Sequence, residues 1–274
     1  MKWKETIRRM NPRVRNFVRG TAVLALALLF VAGAAGPARA GMVRFTYGST
    51  RVAGYLALPS GAGTHPAIIV IHEWWGLNDW VKQQADSLAS RGYVALATDL
   101  YHGKVAFDQE TAHQLMSGLA EDEALATLRA AADWLRGRED VRAQALGVVG
   151  WCMGGKFSIR LAAADPGIKA CVMYYGAPIT DERAIHGIQA AVLGNFGGED
   201  KGPAPEQVKA FEAALRKAGK KVDIKIYPGA GHAFANVNNP WGGYQEAAAK
   251  DAWSRTLAFF AIELKRGSMP KSAR

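Results

Sequence analysis

Leu146-Gly147-Val148-Val149-Gly150-Trp151-Cys152-Met153-Gly154-Gly155 is the stretch from which the fold of this chain can be read. An uncharged run of strand length ends at Gly150, Cys152 stands two residues on, and two glycines follow Met153. A strand that turns sharply into a helix with a nucleophile at the turn has this pattern, here with cysteine in place of serine. Such a turn is strained and brings the helix against the strand, so side chains at Gly150 and Gly154 would clash. The helix then starts beneath the sulfur, where its positive end favours a thiolate. The competing reading is a buried apolar cysteine beside a helix start.

Outward from this stretch, uncharged strand-length runs alternate with amphipathic helical segments. Strands are expected over 67–71, 93–98, 146–149, 170–175, 191–196 and 222–227. Helices are expected over 80–91, 109–119, 121–136, 156–164, 205–218 and 244–265. Two early runs, 43–47 and 52–58, read as an antiparallel hairpin about Gly48-Ser49-Thr50. The fold class is therefore α/β: a mostly parallel sheet of eight strands with helices on both faces, in a single domain over 41–274.

Residues 1–40 read separately. A basic stretch with Arg8 and Arg9 precedes an apolar run from Thr21 to Ala35 and the end Ala38-Arg39-Ala40, the order of a secretory signal peptide. The run is shorter than the ~20 residues that span a bilayer, so cleavage after Ala40 and a periplasmic or secreted product are expected; an uncleaved anchor is the alternative. Of the net charge of +10, these residues supply eight Lys or Arg and one acid, Glu5, which leaves +3 on the rest. A nearly neutral domain gives no ground for a nucleic-acid partner or for stable membrane association once the leader is removed, and a monomer is expected. The chain has two cysteines, Cys152 and Cys171. They fall at opposite ends of neighbouring strands, ~15 Å apart, too far for a disulfide.

In open sheets of this kind the ligand lies beyond the carboxyl ends of the strands. His72-Glu73-Trp74-Trp75, Asp99-Leu100-Tyr101, Trp151-Cys152, Glu199-Asp200 and Gly231-His232 fall there. A thiol nucleophile needs a base, and the base an orienting acid, in the chain order nucleophile, acid, histidine. His232, in a short loop after the last strand, is the base expected; His186 lies in an apparent surface connection. Asp200 is the acid preferred, with Glu199 as its neighbouring rival. The oxyanion donors expected are the backbone N–H groups of Met153 and Trp74. Trp74, Trp75, Trp151 and Tyr101 are candidates to line an aromatic pocket, although aromatics also build cores. No metal site is expected, because Gly76 stands where a zinc helix would need histidine after His72-Glu73. No phosphate loop or cofactor motif is found.

His72 to Leu77, Asp99 to Tyr101, Gly150 to Gly155 and Gly231 to Phe234 together resemble the dienelactone hydrolase family, across essentially the whole of 41–274. The resemblance implies an α/β-hydrolase fold with Cys152, Asp200 and His232 as a triad. It also implies that Glu73 contacts the nucleophile thiol and helps to generate the thiolate when substrate arrives. Two departures stand out. Where the resemblance implies a pair of arginines for a substrate carboxylate, this chain has His102-Gly103-Lys104 and Asn236, the latter a further candidate to line the pocket. A neutral amide and a displaced lysine cannot reproduce two bidentate clamps, so a substrate other than the dienelactone is expected. The expected activity is hydrolysis of small esters or lactones through a thioester, without cofactor. A non-catalytic binding or thiol-responsive protein on the same fold is the alternative.

Overall fold

The computed structural model describes residues 39–240 and 242–265, and its eight strands form one sheet in the order β1-β2-β4-β3-β5-β6-β7-β8. The strands are β1 (Arg39–Tyr47), β2 (Thr50–Leu58), β3 (His65–Ile71), β4 (Val94–Asp99), β5 (Val141–Trp151), β6 (Ile168–Tyr174), β7 (Ala191–Gly197) and β8 (Val222–Tyr227). From β4 onward across the sheet every neighbour is parallel, while β1 and β2 form the antiparallel edge. The hairpin closes with Tyr47 opposite Thr50, so its loop is the two residues Gly48 and Ser49. The helices are α1 (Asp79–Ala89), α2 (Gln109–Ser117), α3 (Glu121–Arg136), α4 (Met153–Ala164), α5 (Glu182–Gly187), α6 (Pro205–Lys217) and α7 (Glu246–Phe260), the last followed by a π turn at Ala261–Lys265.

Strand side chains alternate between two cores. Ile69, Ile71, Val148 and Met173 face α3, α4 and α6, whereas Ile68, Val70, Val149 and Val172 face α1 and α7. Both faces are covered, which is why these strands are continuous apolar runs. Each such side chain taken fully from water contributes about 1.5–3 kcal/mol.

Two expectations change. The connection around His186 contains α5, a six-residue helix capped by Asp181, whose Oδ1 accepts from the Ala184 N–H at 2.6 Å. Strand β5 starts at Val141 rather than Leu146, because Val141, buried in the core, pairs with His65. The leader expected over 1–40 lies outside the described residues except for Arg39 and Ala40, which pair with Leu58 and Ala57. Among the described residues, no helix is long and apolar enough to cross a membrane.

Candidate active site

The turn from β5 to α4 puts Cys152 at φ 54°, ψ −118°, a region that non-glycine residues enter only under strain. Backbone bonds hold it there. The Cys152 N–H donates to the Tyr174 carbonyl at 3.0 Å, and its carbonyl accepts from Lys156 at 3.2 Å. A Cβ on Gly150 would press into the Gly154 carbonyl and lie 2.8 Å from Ser158 Oγ. One on Gly154 would lie 2.6 Å from the His72 carbonyl and nearer still to that of Ile71. The two glycines are thus the condition for β3, β5 and α4 to meet beneath the sulfur. Met153 opens α4, so its N–H has no acceptor within the helix.

His232 follows β8 and is braced by Asp200. Its Nδ1 lies 2.8 Å from Asp200 Oδ2, and Asp200 Oδ1 accepts from the Gly202 N–H at 2.8 Å. The Asp200 side chain is 2 % exposed, whereas Glu199 is exposed to solvent. Of the two acids, Asp200 is therefore the one in contact with the imidazole. Burial pulls the His232 pKa down, but bonds to Asp200 and to Cys152, with the charges of both, outweigh it and raise it to about 10. The imidazole thus joins the acid to the thiol.

Glu73 is fully enclosed after β3. Tyr175 Oη donates to its Oε1 at 3.2 Å and Asn236 Nδ2 to its Oε2 at 2.5 Å. Both oxygens are engaged by these groups, where the family resemblance implied the Cys152 thiol. Burial pushes the carboxyl up to about 7, against the opposing pull of Asn236, His232 and Tyr175. A carboxyl raised from 4.5 binds its proton more tightly in the folded chain. Its contribution to stability is complete below pH 4.5 and is lost as pH rises through about 7. Glu73→Gln cannot ionise. It is expected to remove about 3 kcal/mol of the fall in unfolding free energy over that window. Urea titrations at pH 4.5 and 8 would measure it, and equal pH dependence in both proteins would refute the shift.

His72 clamps the loops that bear these groups. Its Nε2 accepts from the Leu100 N–H at 3.2 Å, so Nδ1 carries the proton and donates to the Glu73 carbonyl at 2.6 Å. Burial lowers its pKa, and with Nε2 accepting and Nδ1 donating it offers no lone pair to a metal.

Cys152 and His232 open into a cleft of about 560 Å³ that Trp74 and Trp75 also line. Three other pocket candidates do not line it. Trp151 points to the opposite face of the sheet, 1 % exposed and edge-on to Trp80 at 5.2 Å. Tyr101 is buried, with its hydroxyl on Met153 Sδ at 3.2 Å. Asn236, 2 % exposed, is committed to Glu73. Tyr175, fully buried at φ 37°, was missed by the sequence reading. It lies just beyond β6, where the strand-end rule would have found it.

The dienelactone hydrolase family matches this chain over residues 52–264. Protein usf of Aquifex pyrophilus is 34 % identical over 226 residues, which are 80 % of this chain and 96 % of that one. A Methylorubrum extorquens protein named as a candidate carboxymethylenebutenolidase is 32 % identical over 235 residues, covering 81 % and 80 % of the two chains. A crystal structure of a candidate dienelactone hydrolase from Klebsiella pneumoniae superposes with a TM-score of 0.75 at 31 % identity, covering 82 % of this chain and 98 % of that one.

Proposed function

Because this chain belongs to the dienelactone hydrolase family of α/β-hydrolases, we propose that it is an exported hydrolase of small esters or lactones that works through a thioester on Cys152. The observation that carries this reading is His232, bonded to Asp200 on one side and interacting with Cys152 on the other. The thiolate attacks the ester carbonyl carbon, and the carbonyl electron pair moves to oxygen, which the N–H groups of Met153 and Trp74 hold. Collapse breaks the bond to the alkoxide, which leaves with the proton of the His232 imidazolium. His232 next takes a proton from water, whose oxygen attacks the thioester; the acid leaves and the thiolate–imidazolium pair returns. Asp200 keeps the imidazole in the productive tautomer, and Glu73 acts on His232 through its charge. A single chain meets a small neutral molecule in this scheme, with no cofactor.

Mass spectrometry of the protein mixed rapidly with phenyl acetate tests the reading: an acetyl group is expected on Cys152 before steady state. Hydrolysis without that adduct, in a Cys152→Ala protein as in the parent, would overturn it. Binding without any turnover would favour the thiol-responsive alternative. Asp200→Asn is expected to lower kcat about 10,000-fold, by favouring the wrong tautomer, while Glu199→Gln changes it less than about twofold. Comparing kcat for the two variants on the same ester checks the assignment.

A further inference from the structure

The cleft has two lobes that meet at the nucleophile. The larger, about 560 Å³, is walled by Trp74 and Trp75; the smaller, about 230 Å³, by Leu119, Phe157 and Ala177. Cys152, His232, Gly202 and Met116 line both. Met116 lies near the end of α2, half-buried. That helix packs on a small satellite core of Trp75, Ala106 and Ala112 and, through Leu115 and Met116, on the main core. Its flexible thioether therefore stands at the division between the lobes, where an unbranched side chain fills an irregular gap.

The charges around the lobes do not suit an anionic substrate. Glu73, Glu199 and Lys201 all line the larger lobe. Lys156, in the smaller lobe, is paired with Glu121 at 2.9 Å. At the positions where carboxylate-binding arginines were to be expected, Asn236 is spent on Glu73, His102 faces Glu123 at 3.1 Å, and Lys104 lines neither lobe. A substrate carboxylate entering the larger lobe would meet three acids, Glu73, Glu199 and Asp200, against one lysine, Lys201.

Resting on the cysteine-hydrolase reading above, we infer that the substrate is a neutral ester with one bulky apolar, preferably aromatic, group and one compact group, and that Met116 is the specificity-determining residue between them. The bulky group packs against Trp74 and Trp75, whose rings meet edge to face at 5.1 Å, and the compact one lies in the smaller lobe. Doubly bulky esters are disfavoured by Met116, which lines both lobes beside the nucleophile.

The test is kcat/KM of the full chain for methyl phenylacetate, phenyl acetate, benzyl phenylacetate and monobenzyl succinate, each normalised to its rate with hydroxide. One of the two singly bulky esters is expected to exceed both benzyl phenylacetate and the succinate monoester by about tenfold or more; which of them leads tells whether the acyl or the alcohol group occupies the indole lobe. Met116→Ala is expected to bring benzyl phenylacetate to within about threefold of the best ester, whereas Met116→Leu, of similar volume, keeps the discrimination. Met116→Val, with a shift in the same direction, replaces Met116→Ala if thermal unfolding shows that variant to be destabilised. Equal rates across the set, a preference for the succinate, or discrimination unchanged in a folded small-residue variant would overturn the inference. Absence of Cys152 acylation by every ester would instead overturn the hydrolase reading.

Discussion

Replacing Cys152 by alanine is expected to lower kcat/KM for phenyl acetate by about 10,000-fold or more, with little change in thermal stability. The size follows from the thioester reading proposed above and from how triad members act. Removing the nucleophile leaves only binding and the oxyanion donors, and these alone retain a small fraction of the rate. Stability should hold because the turn is secured by the backbone: the Cys152 N–H and carbonyl bonds to Tyr174 and Lys156 survive the substitution. Alanine also carries a Cβ, so the strain at φ 54° is the same in both proteins. Steady-state kinetics beside a thermal melt separates the two effects. A rate within tenfold of the parent would remove Cys152 from the reaction.

Gly150→Ala is expected to have the largest effect on folding, a loss of at least about 3 kcal/mol. The added methyl meets the Gly154 carbonyl and lies 2.8 Å from Ser158 Oγ. That hydroxyl already donates to the same carbonyl at 2.9 Å. No side chain rotation relieves the clash, because its main partner is backbone inside α4; the helix has to move away from β5. Since α4 begins at Met153, such movement also carries the oxyanion donor out of place, so activity should fall even in the fraction that folds. Chemical denaturation gives the stability, and a midpoint within error of the parent would show that α4 moves at little cost.

Most of the sheet was legible because strands covered on both faces must be apolar throughout, and charge-free runs such as Ala67 to Ile71 have no other common explanation. Short elements were harder. Helix α5 has fewer than two turns, too few for an amphipathic repeat, and Asp181 was its one local signal. Cys152, His232 and Asp200 were legible as candidates because each sits just past a strand. The partners of Glu73 could not, since Asn236 is 163 residues away in the chain and its amide reads equally well as a surface group. Trp151 was placed in the pocket by proximity to Cys152. Yet it follows Val149 by two residues, and strand alternation gives those two the same face, which is the face turned towards α1 and α7.

The second cysteine bears on the fate of the first. Cys171 is fully buried within β6, with burial pushing its thiol pKa well up. It pairs with Val148, whereas Cys152 meets β6 at Tyr174, three residues further on. The two backbones are thus about 10 Å apart along the strand, beyond what a disulfide can bridge. A sulfenic acid formed on Cys152 by peroxide accordingly has no resolving thiol in its own chain. Rescue must come from a small thiol or a reductase reaching the cleft, and where neither arrives, further oxidation to the sulfinic acid ends the working life of the molecule.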